Sequence, residues 1–440
     1  MAIGDRSDAV ASVTREVSPS PWDRARDGRV LALLFLLIWA VYLATAAYTL
    51  NQMNDSRETS IAAWNLGVRG TFDMPADWPE DLLRWEVEGV DGQRYTNRFP
   101  GPILWGAPFF AVTELVMQRG DPGHPWLLNL APGGVAAATV TALAMATCFV
   151  VFRRLVDRRY AIGAVVALGL GTATWSVAAD ALWTHGPAML ALALGMLAIS
   201  SRRHAAGGAA FGAAILARPH LAVVPAVVGI WEGVRARSAR PVALVGLTSV
   251  LGLVAMTVYS QVMFGTWLPV AGYNPSRIDN VIETSGPVFL ERVIFNFAHP
   301  VRGILLYTPA LLLLLPGLMR AWRVAPAWAR SSAVGGVLYF LVQMRANTWH
   351  GGYGYFGNRL MLETLVLASP LLLLAFQEFV ARSRVRVIAF YLLLAVSIVG
   401  HALGATILER GPFYDDHVEY WQDAIAEVCE EQPDLCDSPR

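Results

Sequence analysis

The run Asn51-Gln-Met-Asn-Asp55-Ser-Arg57-Glu58, continued by Asp91-Gly-Gln-Arg94-Tyr95-Thr-Asn97-Arg98-Phe-Pro100-Gly-Pro102, bounds the first long polar stretch of the chain. An apolar run at 30–50 precedes it, and almost everything after it is apolar helix. A dense set of ionisable and aromatic side chains in an otherwise apolar protein is the first place to look for chemistry. It also decides the fold class, because it reads as a loop outside a membrane between two hydrophobic spans.

Composition agrees. The 440 residues are 55% hydrophobic and 15% charged, with mean hydropathy +0.44, whereas an average soluble domain carries about a quarter charged residues. Several apolar runs reach or approach the ~20 residues that cross a bilayer core. The reading is an all-α polytopic membrane protein. The 34 basic residues are all Arg. Of the three cysteines, Cys148 sits in an apolar run and reads as a packing residue, while Cys429 and Cys436 lie in an acidic tail, close enough to pair.

Arginine placement orders the spans. Residues 1–28 read as a disordered cytoplasmic tail, and Arg24, Arg26 and Arg29 hold the start of span 30–50 inside by the positive-inside rule. The first outer loop is then 51–131, with an interfacial helix at 57–69 and the apolar run 103–117 laid along the outer face. Spans follow at 132–152, 161–178, 186–200, 242–262, 303–321, 331–346, 360–380 and 387–408, with half-length helices at 206–217 and 221–232. That is about eleven spans across 29–408, leaving the acidic tail 409–440 outside. A plasma (inner) membrane location follows, with the N-terminus cytoplasmic and the C-terminus external or periplasmic.

Five constellations could carry chemistry. Asp55 and Glu58 stand just past the outer end of the first span, where a carboxylate can take the proton of an acceptor hydroxyl; capping of the next helix is the alternative. Asp180 and His185 flank a tight outer turn with Trp183 and are functional candidates as ionisable residues at span ends, or simple interfacial anchors. Arg218-Pro219-His220 breaks two short helices; the planar fork of a buried Arg suits a phosphate, and a snorkelling Arg on a Pro-kinked hairpin is the alternative. Arg302 and Arg359 each enter a return span from an outer loop. The second of these loops, with Trp349, His350, Tyr353 and Tyr355 among glycines, could shape a sugar pocket or form an aromatic belt. There is no phosphate-binding loop with Lys, no HExxH and no GxSxG. Nucleic acid is not indicated.

The pieces Asp91-Gly-Gln-Arg-Tyr95 with Phe99-Pro-Gly-Pro102, Leu168-Gly-Leu-Gly171 through Trp175, Leu182-Trp-Thr-His185, Ala217-Arg-Pro219, Phe264-Gly265 with Gly272-Tyr273, Arg302-Gly-Ile-Leu-Leu-Tyr307-Thr-Pro309 and Trp349-His-Gly-Gly352 with Gly357-Asn-Arg359 form an ordered series. In that order the chain resembles the GT-C class of membrane glycosyltransferases, which includes protein O-mannosyltransferases and the lipid A aminoarabinose transferase. The resemblance implies an inverting transfer, on the outer face, from a polyprenyl-phosphate-linked sugar to an envelope glycan, lipid or protein acceptor. Mannose or arabinofuranose is the sugar first expected. It puts the base at Asp55, with Glu58, Asp180 and His185 in support. Arg302, Arg359 and Arg218 would meet the phosphate, and Tyr95, Tyr273, Trp349, His350, Tyr353 and Tyr355 the sugar or acceptor. The resemblance assigns no definite cofactor and leaves open a divalent metal at Asp55 and Asp180. A lipid-linked-sugar flippase and a non-catalytic envelope-assembly protein are the rival readings.

Overall fold

The structure, a computed structural model, describes residues 21–48, 54–74, 86–117, 130–273, 282–352 and 354–407. Tyr353 and the whole acidic tail 409–440, with Cys429 and Cys436, lie outside the described residues.

The described chain is mostly helical. In order the helices are α1 Pro21–Thr45, α2 Asn54–Arg69, α3 Pro100–Met117, α4 Ala131–Phe152, α5 Arg158–Leu170, α6 His185–Ser200, α7 His204–Ala217, α8 Val223–Ala236 and α9 Ala239–Phe264. They continue as α10 Gly286–Ala298, α11 Leu318–Val324, α12 Ala327–Ala346, α13 Leu362–Ala375 and α14 Arg384–Thr406. Among the described residues, five helical segments are long and apolar enough to cross a membrane: Arg26–Thr45, Ala131–Phe152, Ala239–Phe264, Leu362–Val380 and Arg384–Thr406. Two of them, α4 and the helix begun by α13, are 72% buried, whereas α1, α9 and α14 are 17%, 22% and 28% buried. Apolar side chains such as Leu247, Leu251 and Val258 on α9, and Leu392, Val396 and Val399 on α14, therefore face outward. Outward apolar faces suit surroundings of lipid, where there is no water to avoid.

Three expectations need correction. The first helix begins at Pro21 rather than near residue 30; proline fits a first helical turn, where its missing N–H is not needed. The chain is not purely helical either. Glu86–Glu88 pairs antiparallel with Arg94–Thr96 in a short ribbon, β1 and β2, with Val87 opposite Tyr95. Finally, 303–321 is not a continuous span. It breaks into a helical turn Ile304–Tyr307, two 3₁₀ turns, Pro309–Leu313 and Leu315–Gly317, and then α11. Pro309 and Pro316 supply the reason, since each removes a backbone donor and clashes with the preceding turn. Thr308 Oγ1 bonds the Gly171 carbonyl across the break at 3.1 Å.

Close packing fixes the ends of the bundle. A Cβ on Gly252 of α9 would fall 2.0 Å from the Gly212 carbonyl of α7, so these two backbones touch. Helix α1 is tied at both ends. Asp27 pairs with Arg153 at 3.0 Å and Arg158 at 2.6 Å, Trp39 donates to Thr139, Tyr42 to the Gly169 carbonyl, and Trp175 to Thr45. The arginine-rich α4–α5 connection thus lies at one end of α1, and the turn holding Asp180 and Trp183 at the other.

Helix α3, expected along the outer face, packs against α2, α4 and α7. Its Gly101 lies against the Ala217 backbone. Its far side, with Val112, Leu115 and Val116, is exposed.

Candidate active site

Asp55 lies in the first turn of α2, where the partial positive charge of a helix N-terminus favours a carboxylate. Its Oδ1 meets Arg98 Nη2 at 2.7 Å, and its Oδ2 meets Arg359 Nη1 at 3.4 Å. Helix capping and ligand chemistry are thus not exclusive here. Glu58, one turn on, is fully buried and accepts from Thr96 Oγ1 at 3.3 Å. Thr96 closes the ribbon, which delivers Arg98 to Asp55. Arg98 also donates to Tyr273 Oη at 2.5 Å. Tyr95 faces elsewhere: its hydroxyl donates to Asp91 at 2.6 Å and its ring meets Phe264.

The glycine-rich loop wraps two arginines. Arg302, 1% exposed, donates to the carbonyls of Tyr355 and Gly352 and lies 3.8 Å over the Tyr355 ring. Arg359 donates to the Gly351 carbonyl and sits over Tyr355 and Trp183 at 4.8 and 4.6 Å. Gly351 and Gly352 have φ of +66° and +100°, a region that side chains other than glycine rarely enter. A Cβ on Gly352 would also approach Arg359 Nη2 to 3.1 Å. The carbonyls point inward because the backbone turns this way. Asn358 locks the loop, donating to Asn296 and to the Arg302 carbonyl. Trp349 is buried against Phe295 and His299, with ring centroids 5.4 and 4.1 Å away.

A second polar group lies deeper. Arg218 is extended, at φ −153° and ψ 100°, because the following Pro219 disfavours a helical conformation. Its Nη1 reaches Thr184 at 3.4 Å, the two ring nitrogens of His185 at 3.0 and 3.2 Å, and Glu363 Oε1 at 3.5 Å. Glu363 also meets His185 Nδ1 at 2.8 Å and accepts from Tyr339 at 3.1 Å. His220 stacks on Tyr339 and meets Gln343 at 2.8 Å. The ring of Trp183 lies 6.4 Å from that of His185 and joins the two groups. Asp180 is buried at the same turn, its carbonyl accepting from Ala47 N–H at 2.9 Å.

The structure therefore brings Asp55, Arg359, Arg302, Tyr355 and, beneath them, Arg218 and His185 to one end of the bundle. It adds Arg98, Trp183 and Glu363, to which the sequence reading assigned no role. Donors there include Arg218 Nε, Arg359 Nε and Trp183 Nε1, each buried without a hydrogen-bond partner. A buried donor without an acceptor is costly, and an anion is the ligand that would satisfy several at once. Among the described residues, no three His, Cys, Asp or Glu side chains are grouped to hold a metal ion. Asp55 instead turns both carboxylate oxygens to guanidiniums, a donor set that does not fit a metal.

Two loop histidines carry a pH prediction. Burial, and then the charge of Arg302, hold His299 down to about 4; burial, with Arg302 and Arg359 nearby, does the same for His350. An unfolded histidine titrates near ~6.5. Between roughly pH 6.5 and about 4 the unfolded chain binds more protons, so stability is complete above this window and falls as pH drops through it. Thermal unfolding in detergent should show a lower midpoint at pH 5 than at pH 7.5. The gap should narrow in a His299→Gln, His350→Gln double variant.

No protein-family model matches the chain, and no curated protein matches it.

Proposed function

We propose that this chain is an inverting glycosyltransferase of the GT-C kind, taking a sugar from a polyprenyl-phosphate donor on the outer face of the plasma membrane. In this reading the chain crosses the membrane about eleven times, five times by the long helices and otherwise by short or broken ones such as 303–321. The acceptor is an envelope glycan, lipid or protein, and mannose or arabinofuranose the first sugars to try. The observation that supports it is the meeting of Asp55 with two arginines beside buried donors that lack acceptors.

The contacts suggest how the steps divide. Arg98 holds Asp55 at 2.7 Å, while Arg359 stands off at 3.4 Å. Arg359 is the looser partner and the one that turns to an incoming phosphate, which frees Asp55 Oδ2. That oxygen takes the acceptor hydroxyl proton. The acceptor oxygen attacks the anomeric carbon from the side opposite the phosphate. The carbon–oxygen bond to phosphate breaks with its electron pair, giving an inverted glycoside and a polyprenyl phosphate. Arg359 and Arg218 stabilise the charge that collects on the leaving phosphate. Trp183 and Tyr355, whose rings lie beside Arg359, border the sugar.

The flippase reading draws on the broken segment and on the apolar cavity of about 100 Å³ beside it, lined by residues such as Leu168, Leu311, Leu314 and Phe376. Such a lining, mostly apolar with a few hydroxyls and no charged side chain, suits a lipid chain better than a charged headgroup in transit. The test is pure protein in detergent with radiolabelled polyprenyl-phosphate sugar and candidate acceptors. Label leaving the lipid fraction is the expected result. Intact labelled lipid in detergent, with transbilayer movement of that lipid in vesicles, would overturn the reading in favour of a flippase.

A further inference from the structure

Glu363 is fully buried in the first turn of α13. Its carboxylate faces Arg218, His185 and Tyr339. A buried arginine without a counter-charge is strongly destabilising, so Glu363 accounts for how Arg218 is tolerated at this depth. The contact is nevertheless loose. At 3.5 Å it is well outside the ~2.7–2.9 Å of a committed charge-assisted bond. Arg218 Nη1 also lies at nearly equal distances from both His185 ring nitrogens, so no single directed bond fixes it. Its hydrogen bonds to described residues all leave from Nη1, and its Nε is buried without a partner.

We propose that Glu363 is an internal counter-anion: it holds Arg218 charged and in place while the site is empty, and competes with the donor phosphate for it. The choice of phosphate rests on the proposed function, whereas the competition rests on geometry alone. Glu363 is a positioning residue, acting through Arg218 rather than on the reacting atoms. The same charge that makes the empty site foldable weakens its hold on phosphate, and so helps the spent polyprenyl phosphate to leave.

The competition has a sign that a purely structural role lacks. Removing the carboxylate should make the empty protein less stable and its phosphate affinity higher. The experiment uses the full chain in detergent, titrated with farnesyl phosphate, with farnesol as the uncharged control and inorganic phosphate to separate a lipid-phosphate site from a bare anion site. Glu363→Gln should bind farnesyl phosphate on the order of tenfold tighter than wild type, as expected for one opposing charge at contact distance in a partly screened site. Farnesol binding should not change. In an Arg218→Gln, Glu363→Gln double variant the tightening should vanish. Should Glu363→Gln fail to fold, Glu363→Asp keeps the charge but draws it back by one methylene, and should tighten binding a few-fold.

Folded variants that bind farnesyl phosphate no tighter than wild type would overturn the proposal, as would tightening that survives loss of Arg218. Inorganic phosphate tightened as strongly as farnesyl phosphate would leave the counter-anion intact and assign it to a bare anion. Sugar transfer is followed on the same preparations. Tightened phosphate binding without any transfer would refute the glycosyltransferase reading and leave the counter-anion standing; transfer with unchanged affinity would do the reverse.

Discussion

Asp55→Asn should lower sugar transfer on the order of 10²–10⁴-fold, the range typical for loss of a general base, while the protein stays folded. The substitution keeps the shape of the side chain and an oxygen that can still accept from Arg98 at the present 2.7 Å. It removes the basicity that an acceptor hydroxyl needs. The Asp55 side chain is 26% exposed but that of Arg98 only 8%, so leaving the buried guanidinium with a neutral partner should lower the unfolding midpoint somewhat, and turnover is compared at a temperature where both proteins are folded. The loss should fall on kcat, because proton removal belongs to the transition state and not to donor binding. A folded Asp55→Asn protein with near-normal turnover would remove Asp55 from the mechanism, with Glu58 the next carboxylate to test.

Arg302→Lys is expected to unfold far more easily than wild type. The sequence alone offered Arg302 and Arg359 as a matched pair of phosphate ligands. The structure separates them. Arg302 spends its fork on the carbonyls of Tyr355 and Gly352 and its face on the Tyr355 ring. Lysine keeps the charge but cannot span two carbonyls in one plane. A lost charged hydrogen bond at ~1.5–3 kcal/mol, with the stacking contact, makes the loss about 2–4 kcal/mol. Arg359 has a side chain 15% exposed and divides its fork between Asp55 and the single carbonyl of Gly351. Lysine can keep the ion pair and one carbonyl bond, so Arg359→Lys should lower the unfolding midpoint less than Arg302→Lys does and lose donor use in kcat and KM. The measurement is thermal unfolding of both variants beside donor kinetics. An Arg302→Lys protein as stable as wild type, but impaired for donor, would restore Arg302 to the phosphate.

What the sequence showed and hid follows from the range of each interaction. The five long apolar helices were legible because hydropathy is local, and runs near 30–50, 132–152, 242–262, 360–380 and 387–408 need no partner to be recognised. The broken segment was misread for the same reason. Hydropathy counts the leucines between Pro309 and Pro316 and ignores the missing backbone donors. The ribbon that carries Arg98 went unseen because three-residue strands leave almost no periodicity. Glu363 is the clearest case. It stands behind the first three residues of an apolar run, and its partners His185 and Arg218 are 178 and 145 residues away. Nothing within a window around it distinguishes it from a stray acid. Arg218, by contrast, was legible, because Arg-Pro between two short apolar pieces marks non-helical backbone at depth, and such backbone needs a polar reason to be there.

The ties on α1 set a timetable for biosynthesis. A nascent chain is made from its N-terminus, so α1 is made before its partners Thr139, Gly169, Arg158 and Trp175, which follow 100 to 131 residues later. Until they emerge, the ends of this helix are untied. Asp55 waits longer still, since Arg359 is 304 residues downstream. The first polar loop is among the earliest parts to leave the ribosome, and its carboxylate is among the last to be completed. A polypeptide stalled anywhere before Arg359 therefore leaves behind an unfinished centre.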